Sequence, residues 1–153
     1  MYSLRALLSL TLVIACSDEI ASPIGSDDSQ SPYSEVLEIE DARARTSRPP
    51  HANSAAFMTL INNGNEDLVI VGVKTPRAKV AELHTMLQED DKMKMRRVER
   101  LVVPSKGELE LKPGADHLMF FEIDKAWRIG DKLKLTLLFA KYPEQTVTLE
   151  VEK

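Results

Sequence analysis

From residue 35 onward the chain alternates apolar and polar side chains in short runs, each closed by a turn-forming residue. The runs are "EVLEIEDARAR", "SAAFMTLIN", "LVIVGVKT", "AKVAELHTML", "KMKMRRVERLVV", "GELELK", "DHLMFFEI", "DKLKLTLLFA" and "TVTLEVEK". Between them lie "NNGNED", Pro76, "QEDD" and the Pro113–Gly114 pair. Alternation at period two places one side chain in a core and the next in solvent, the signature of a half-buried strand. Runs of five to ten residues with turns between them predict an all-β sandwich or barrel. The one helix-like segment, "FEIDKAWRIG", reads as a turn around Trp127.

The first 34 residues follow other rules. Arg5 is followed by the apolar run "ALLSLTLVIA", too short to span a bilayer and suited to the core of a signal peptide. It ends in "VIAC", which resembles a bacterial lipobox, with Cys16 as the residue to be lipidated. Residues 17–34, "SDEIASPIGSDDSQSPYS", have the composition of a flexible tether. Eighteen such residues give an r.m.s. reach of roughly 23 Å. The expected organisation is a lipoprotein signal peptide over 1–15, a lipidated cysteine and tether over 16–34, and one folded domain over 35–153. The expected location is a bacterial membrane, anchored by the N-terminal lipid and facing the periplasm; the alternative is an ordinary secretory signal with an incidental cysteine and a soluble periplasmic protein.

Charge and cysteine content narrow the chemistry. Removing residues 1–15 removes Arg5, leaving 19 basic against 24 acidic residues and a formal charge of −5. That balance argues against nucleic acid as a partner. Cys16 is the single cysteine, so the fold is expected to hold neither a disulfide nor a thiolate metal site.

The segment "AELHTMLQEDDKMKMRRV" gathers one of three histidines and three of six methionines. Read as a hairpin with a four-residue loop at Gln88–Asp91, it pairs His84 with Met95 and Met86 with Met93. All four side chains then share one face, with Lys92, Lys94 and Arg96 on the other. In "DHLMFF", His117 and Met119 lie two apart and share a face of their own strand. Thioether sulfur is a soft, neutral donor that suits Cu(I), and imidazole accepts copper in either oxidation state. Methionine also survives export without being lost to a disulfide. Core filling is the competing explanation for methionines on one strand face, and periodicity alone does not separate the two.

The spacing His84, ten residues, Met95, twenty-one residues, His117, one residue, Met119 is similar to the H-x10-M-x21-H-x-M motif of the PCuAC family of periplasmic copper chaperones. "AELHTM", "MKMRRV", "LELKPGADHLMF" and "GDKLKLTLLF" resemble the family's corresponding strands, and the likeness runs over about residues 37–150. The resemblance implies a cupredoxin-like/Ig-like antiparallel β-sandwich that holds one Cu(I) through His84, Met95, His117 and Met119. It further implies a non-enzymatic role, delivering copper towards the dinuclear centre of cytochrome c oxidase subunit II, alongside a Sco-type protein.

Other residues take lesser parts. Met86 and Met93 share the metal face and are auxiliary candidates there, but core packing is the expected role for both. Met58 is expected in the core and His51 in a loop. "KMKMRR" with Arg100 would make a basic strip beside the site, able to steer an acidic partner. Arg43 stands in "DARAR" where the family commonly has Trp, which bears on packing more than on the ligands. Two other functions stay open: copper sequestration, and a metal-free adhesion or assembly module of Ig-like shape. No nucleophile–base pair, cofactor loop or carboxylate cluster suggests an enzyme.

Overall fold

The computed structural model describes residues 35–47 and 53–153. Cys16, the signal and tether segments, and His51 lie outside the described residues. Ten strands follow in order: β1 (Leu37–Arg45), β2 (Asn53–Asn62), β3 (Leu68–Lys74), β4 (Ala78–Glu89), β5 (Lys92–Val98), β6 (Leu101–Val103), β7 (Gly107–Leu111), β8 (His117–Ile123), β9 (Lys132–Phe139) and β10 (Gln145–Glu152). They hydrogen-bond in the order β5-β4-β8-β2-β1-β10-β9-β3-β6, with β7 also on β2. The path folds over on itself, so that β3 packs against β4 from the far end. The all-β, cupredoxin-like sandwich is as expected from the alternation and the resemblance. Its ladders run antiparallel except one: β10 lies parallel to β1, pairing Arg43 with Glu150 and Arg45 with Glu152.

Alternation decides what each strand buries. In β9, Leu133, Leu135, Leu137 and Phe139 point inward while Lys132 and Lys134 stay exposed. Leu83 of β4, Leu118 and Phe120 of β8, and Ala56, Met58 and Leu60 of β2 meet them in one core. Met58 is thus a core residue, as expected. Trp127 sits outside any helix or strand; it is 2% exposed, packs on Phe120 and donates its backbone N–H to Ser47 Oγ.

Two irregularities position the site. In β1, Leu37 and Ile39 face the core before a bulge, and Ala42 and Ala44 face it after. The extra residue at the bulge, where Asp41 takes φ 50°, shifts the phase by one. Arg43 and Arg45 are thereby turned onto the outer face. The run expected to be one strand over 92–103 breaks at Glu99–Arg100: β5 stays on β4, and β6 crosses to β3. β5 is therefore an edge strand.

Candidate metal centre

The outer face of β5-β4-β8-β2 carries the candidate residues. β2 and β8 are buried on both sides, unlike β9. Ala56, Met58, Leu118 and Phe120 fill the core, while Ala55, Phe57, His117 and Met119 project from the opposite face. The register places His84 directly opposite His117, and Met119 between Glu82 and Ala55. Both histidines are buried, at 7% and 6% exposure. Their ring centroids lie 5.7 Å apart, with Phe57 and Phe121 tilted against them.

The hairpin differs from the expected register. The ladder runs to Glu89↔Lys92, and the turn is only two residues, Asp90–Asp91, with φ of 49° and 59°. Aspartate tolerates this left-handed backbone, and two such residues in succession make the tight turn that matches strand twist. The pairing therefore slides by two: His84 faces Arg97 rather than Met95, Met86 faces Met95 rather than Met93, and Met93 faces Gln88. A slide by two keeps every side chain on its side. Met95 remains on the face of His84, and Lys92, Lys94 and Arg96 remain opposite.

Donor atoms converge on this face. His117 Nδ1 donates to the carbonyl of Ala115 at 2.8 Å. In a neutral ring that leaves the lone pair on Nε2, which lies 3.2 Å from Met95 Sδ. Two donors around one tetrahedral ion stand roughly 3.5 Å apart, given metal–nitrogen and metal–sulfur bonds of about 2.0–2.3 Å. The turn before β8 sets this up. Gly114 adopts φ 82°, and Lys112 N–H bonds the carbonyl of Asp116, which aims the Ala115 carbonyl back at His117. His84 Nε2 donates to Glu82 Oε2 at 2.8 Å, while its buried Nδ1 has no hydrogen-bond partner. An acceptor nitrogen buried without a partner is costly, and a soft cation would satisfy it.

Met86, Met95, His117 and Met119 line one cleft of about 500 Å³, together with Arg45, Phe57 and Gly114. Met86 lies outside the core, so core packing is not its role. Met93 is 54% exposed and does not line the cleft. His84 is not among the lining residues; it sits beneath, against His117. Among the described residues no three His, Cys, Asp or Glu side chains group as a metal site.

The basic strip is divided. Lys94 and Arg96 are held by Glu89 on the far face, at 3.0 and 2.6 Å, and hydrogen bonds from these two, Lys94 foremost, keep the Glu89 carboxyl below its usual range. Arg97 instead lies on the site face, 3.3 Å from Glu82. Arg43, in the position of the expected Trp, stacks its guanidinium over Phe57 at 5.9 Å. Glu82 and Phe57 were not singled out from the sequence, and Arg97 entered only as part of the basic strip. The signal for Glu82 was present, since it precedes His84 by two on one strand. Phe57 required knowing that β2 borders β8.

The chain folds as a cupredoxin-like β-sandwich. Solved structures share it: the copper-bound PCuAC domain from PmoF2 superposes with a TM-score of 0.65 at 22% identity, over 76% of this chain and 92% of that one. The Cu(I) form of DR1885 from Deinococcus radiodurans gives 0.60 at 27% identity, over 82% and 85%. The chain belongs to the LpqE-like family, described as "Putative lipoprotein LpqE-like", whose pattern matches residues 37–151. It is also 25% identical over 101 residues to an uncharacterized protein, RP573, of Rickettsia prowazekii, a match spanning 65% of this chain and 56% of that protein. The chain thus spans little more than half the length of that relative.

Proposed function

We propose that the domain binds one Cu(I) through His84, Met95, His117 and Met119, and carries it as a lipid-anchored chaperone on the periplasmic side of a bacterial membrane. The observation that carries this reading is Nε2 of His117 facing Met95 Sδ at 3.2 Å, in a cleft that Met119 also lines. The copper held by the PmoF2 domain and by DR1885 supports the choice of metal, and the latter supports its oxidation state. Two neutral imidazoles and two thioethers leave the site at a charge of +1, so uptake releases no proton from a thiol.

Exposure supports transfer over storage. Met95 is 48% exposed and sits on an edge strand. An acceptor can add a ligand beside it before Met95 lets go, passing copper without freeing it. Cys16 would supply the anchor and residues 17–34 the reach. The acceptor we infer is the dinuclear centre of cytochrome c oxidase subunit II, with a Sco-type protein acting alongside.

X-ray absorption on the Cu(I)-loaded protein tests the site. Sulfur and imidazole nitrogen in equal number are expected; a shell of nitrogen and oxygen alone overturns the assignment. Mixing loaded protein with the soluble copper domain of subunit II tests the destination. Separating the two proteins and measuring the copper in each is expected to show copper moved to the subunit II domain; copper retained on the loaded protein would point to sequestration.

A further inference from the structure

Glu82 takes part in the copper chemistry without touching the metal: we propose that it is a positioning residue. It holds His84 in the tautomer that frees Nδ1 and sets its negative charge against the bound cation. The second half of this proposal rests on the copper reading above; the first does not.

The geometry begins with strand parity. Glu82 and His84 are two apart on β4 and share the outer face. Glu82 offers two oxygens, and both are engaged. Oε2 lies 2.8 Å from His84 Nε2, and Oε1 lies 3.3 Å from an Arg97 nitrogen. Arg97 stands directly across the ladder from His84, so it holds the carboxylate from the far side and restricts its rotation. The Glu82 side chain is only 19% exposed, and that of His84 only 9%.

An ionised carboxylate accepts and cannot donate. The proton between these groups therefore belongs to Nε2 of His84. The lone pair of the neutral ring then resides on Nδ1, the atom that is buried without a partner. On His117 the roles are reversed, since its Nδ1 donates to the Ala115 carbonyl and Nε2 carries the lone pair. The two histidines, directly opposed across β4 and β8, thus present different ring nitrogens. Each is fixed by a different acceptor: a carboxylate for His84 and a backbone carbonyl for His117.

The difference in acceptor has consequences. A carbonyl orients a ring without adding charge, whereas a carboxylate also makes the ring a stronger donor. With four neutral ligands and Cu(I), the centre is cationic in a half-buried cleft. Glu82 is the acidic side chain bonded to a ligand, and its charge offsets that of the ion. Loss of such outer partners typically lowers metal affinity roughly 10–100-fold.

Long-range proton–nitrogen correlation on the nitrogen-15-labelled, metal-free protein reads the tautomers directly. Wild type is expected to show His84 protonated at Nε2 and His117 at Nδ1. Glu82→Leu is expected to release the His84 tautomer, leave His117 unchanged, and weaken Cu(I) binding towards the 100-fold end of that range. Glu82→Gln keeps an acceptor of the same shape without its charge. It is expected to preserve the tautomer and lose about tenfold in affinity, and it keeps the test decisive should the leucine variant fail to fold. The proposal is overturned by wild type carrying the His84 proton on Nδ1, or by Glu82→Gln and Glu82→Leu binding copper as tightly as wild type. A wild type with the expected tautomers that takes up no Cu(I) overturns the copper reading instead, and the charge-balancing role with it.

Discussion

At the scale of single residues, Met95 and Met93 form a natural experiment. They are neighbours on one strand face with similar exposure, 48% and 54%, yet only Met95 lines the cleft and contacts His117. Met95→Ala should weaken Cu(I) binding by more than the roughly 10–100-fold typical of an outer partner. Met93→Ala should leave it within about twofold, a difference of a few tenths of a kcal/mol. Competition against a chromogenic chelator distinguishes the two. Gly114 tests the support beneath His117. Its φ of 82° is strained for any residue with a Cβ, although nothing crowds the position. Gly114→Ala should cost about 1 kcal/mol of stability, measured by denaturant unfolding. The face of each candidate donor was legible in the sequence because parity survives errors in register. Two of the groups around those donors were not. Arg97 opposite His84 depends on the length of a turn, and the Ala115 carbonyl on a backbone conformation that no side-chain pattern encodes.

At the scale of elements, the β4–β5 hairpin holds an exposed sulfur at an edge with a cluster of charges. Lys94 and Arg96 bond Glu89 on the face away from the site, and this lowers the Glu89 pKa. A lowered carboxylate contributes stability in full above its unfolded value, about 4.3. That contribution is lost as pH falls through the lower folded value. The carbon-13 signal of the Glu89 carboxyl should therefore titrate below the ordinary glutamate range. In a Lys94→Ala, Arg96→Ala double variant its midpoint should return towards that range. Cu(I) affinity at neutral pH should hardly change, because these charges project from the opposite face. The hairpin's existence was legible from alternation on either side of "QEDD". Its two-residue turn was not, since Asp-Asp lacks the glycine that usually marks such turns. The break at Glu99–Arg100 was hidden for a similar reason: neither glycine nor proline interrupts the run, and only the crossing of β6 to β3 separates the two strands.

At the scale of the whole molecule, the site stands on a core that it does not share. β8 buries Leu118 and Phe120 on one face and presents His117 and Met119 on the other. Leu137, fully buried in β9, belongs to the core alone. Leu137→Ala should cost about 2–5 kcal/mol of unfolding free energy while leaving copper affinity intact in the folded fraction. Cu(I) at a hundredfold excess over its dissociation constant should add about 2.7 kcal/mol to stability, read as a rise in Tm. Composition and alternation reached the fold class, because the period-two pattern reports burial. They did not reach the parallel closure of β10 on β1, because alternation does not name a strand's neighbour. The account as a whole depends on one ion being held in the cleft between β5, β4 and β8. Its most direct test is titration of the folded chain with Cu(I) against a competing chromogenic chelator, beside the Met95→Ala, Met119→Ala double variant. The account predicts one tightly held equivalent for wild type and none for the variant; identical curves for the two proteins would contradict it.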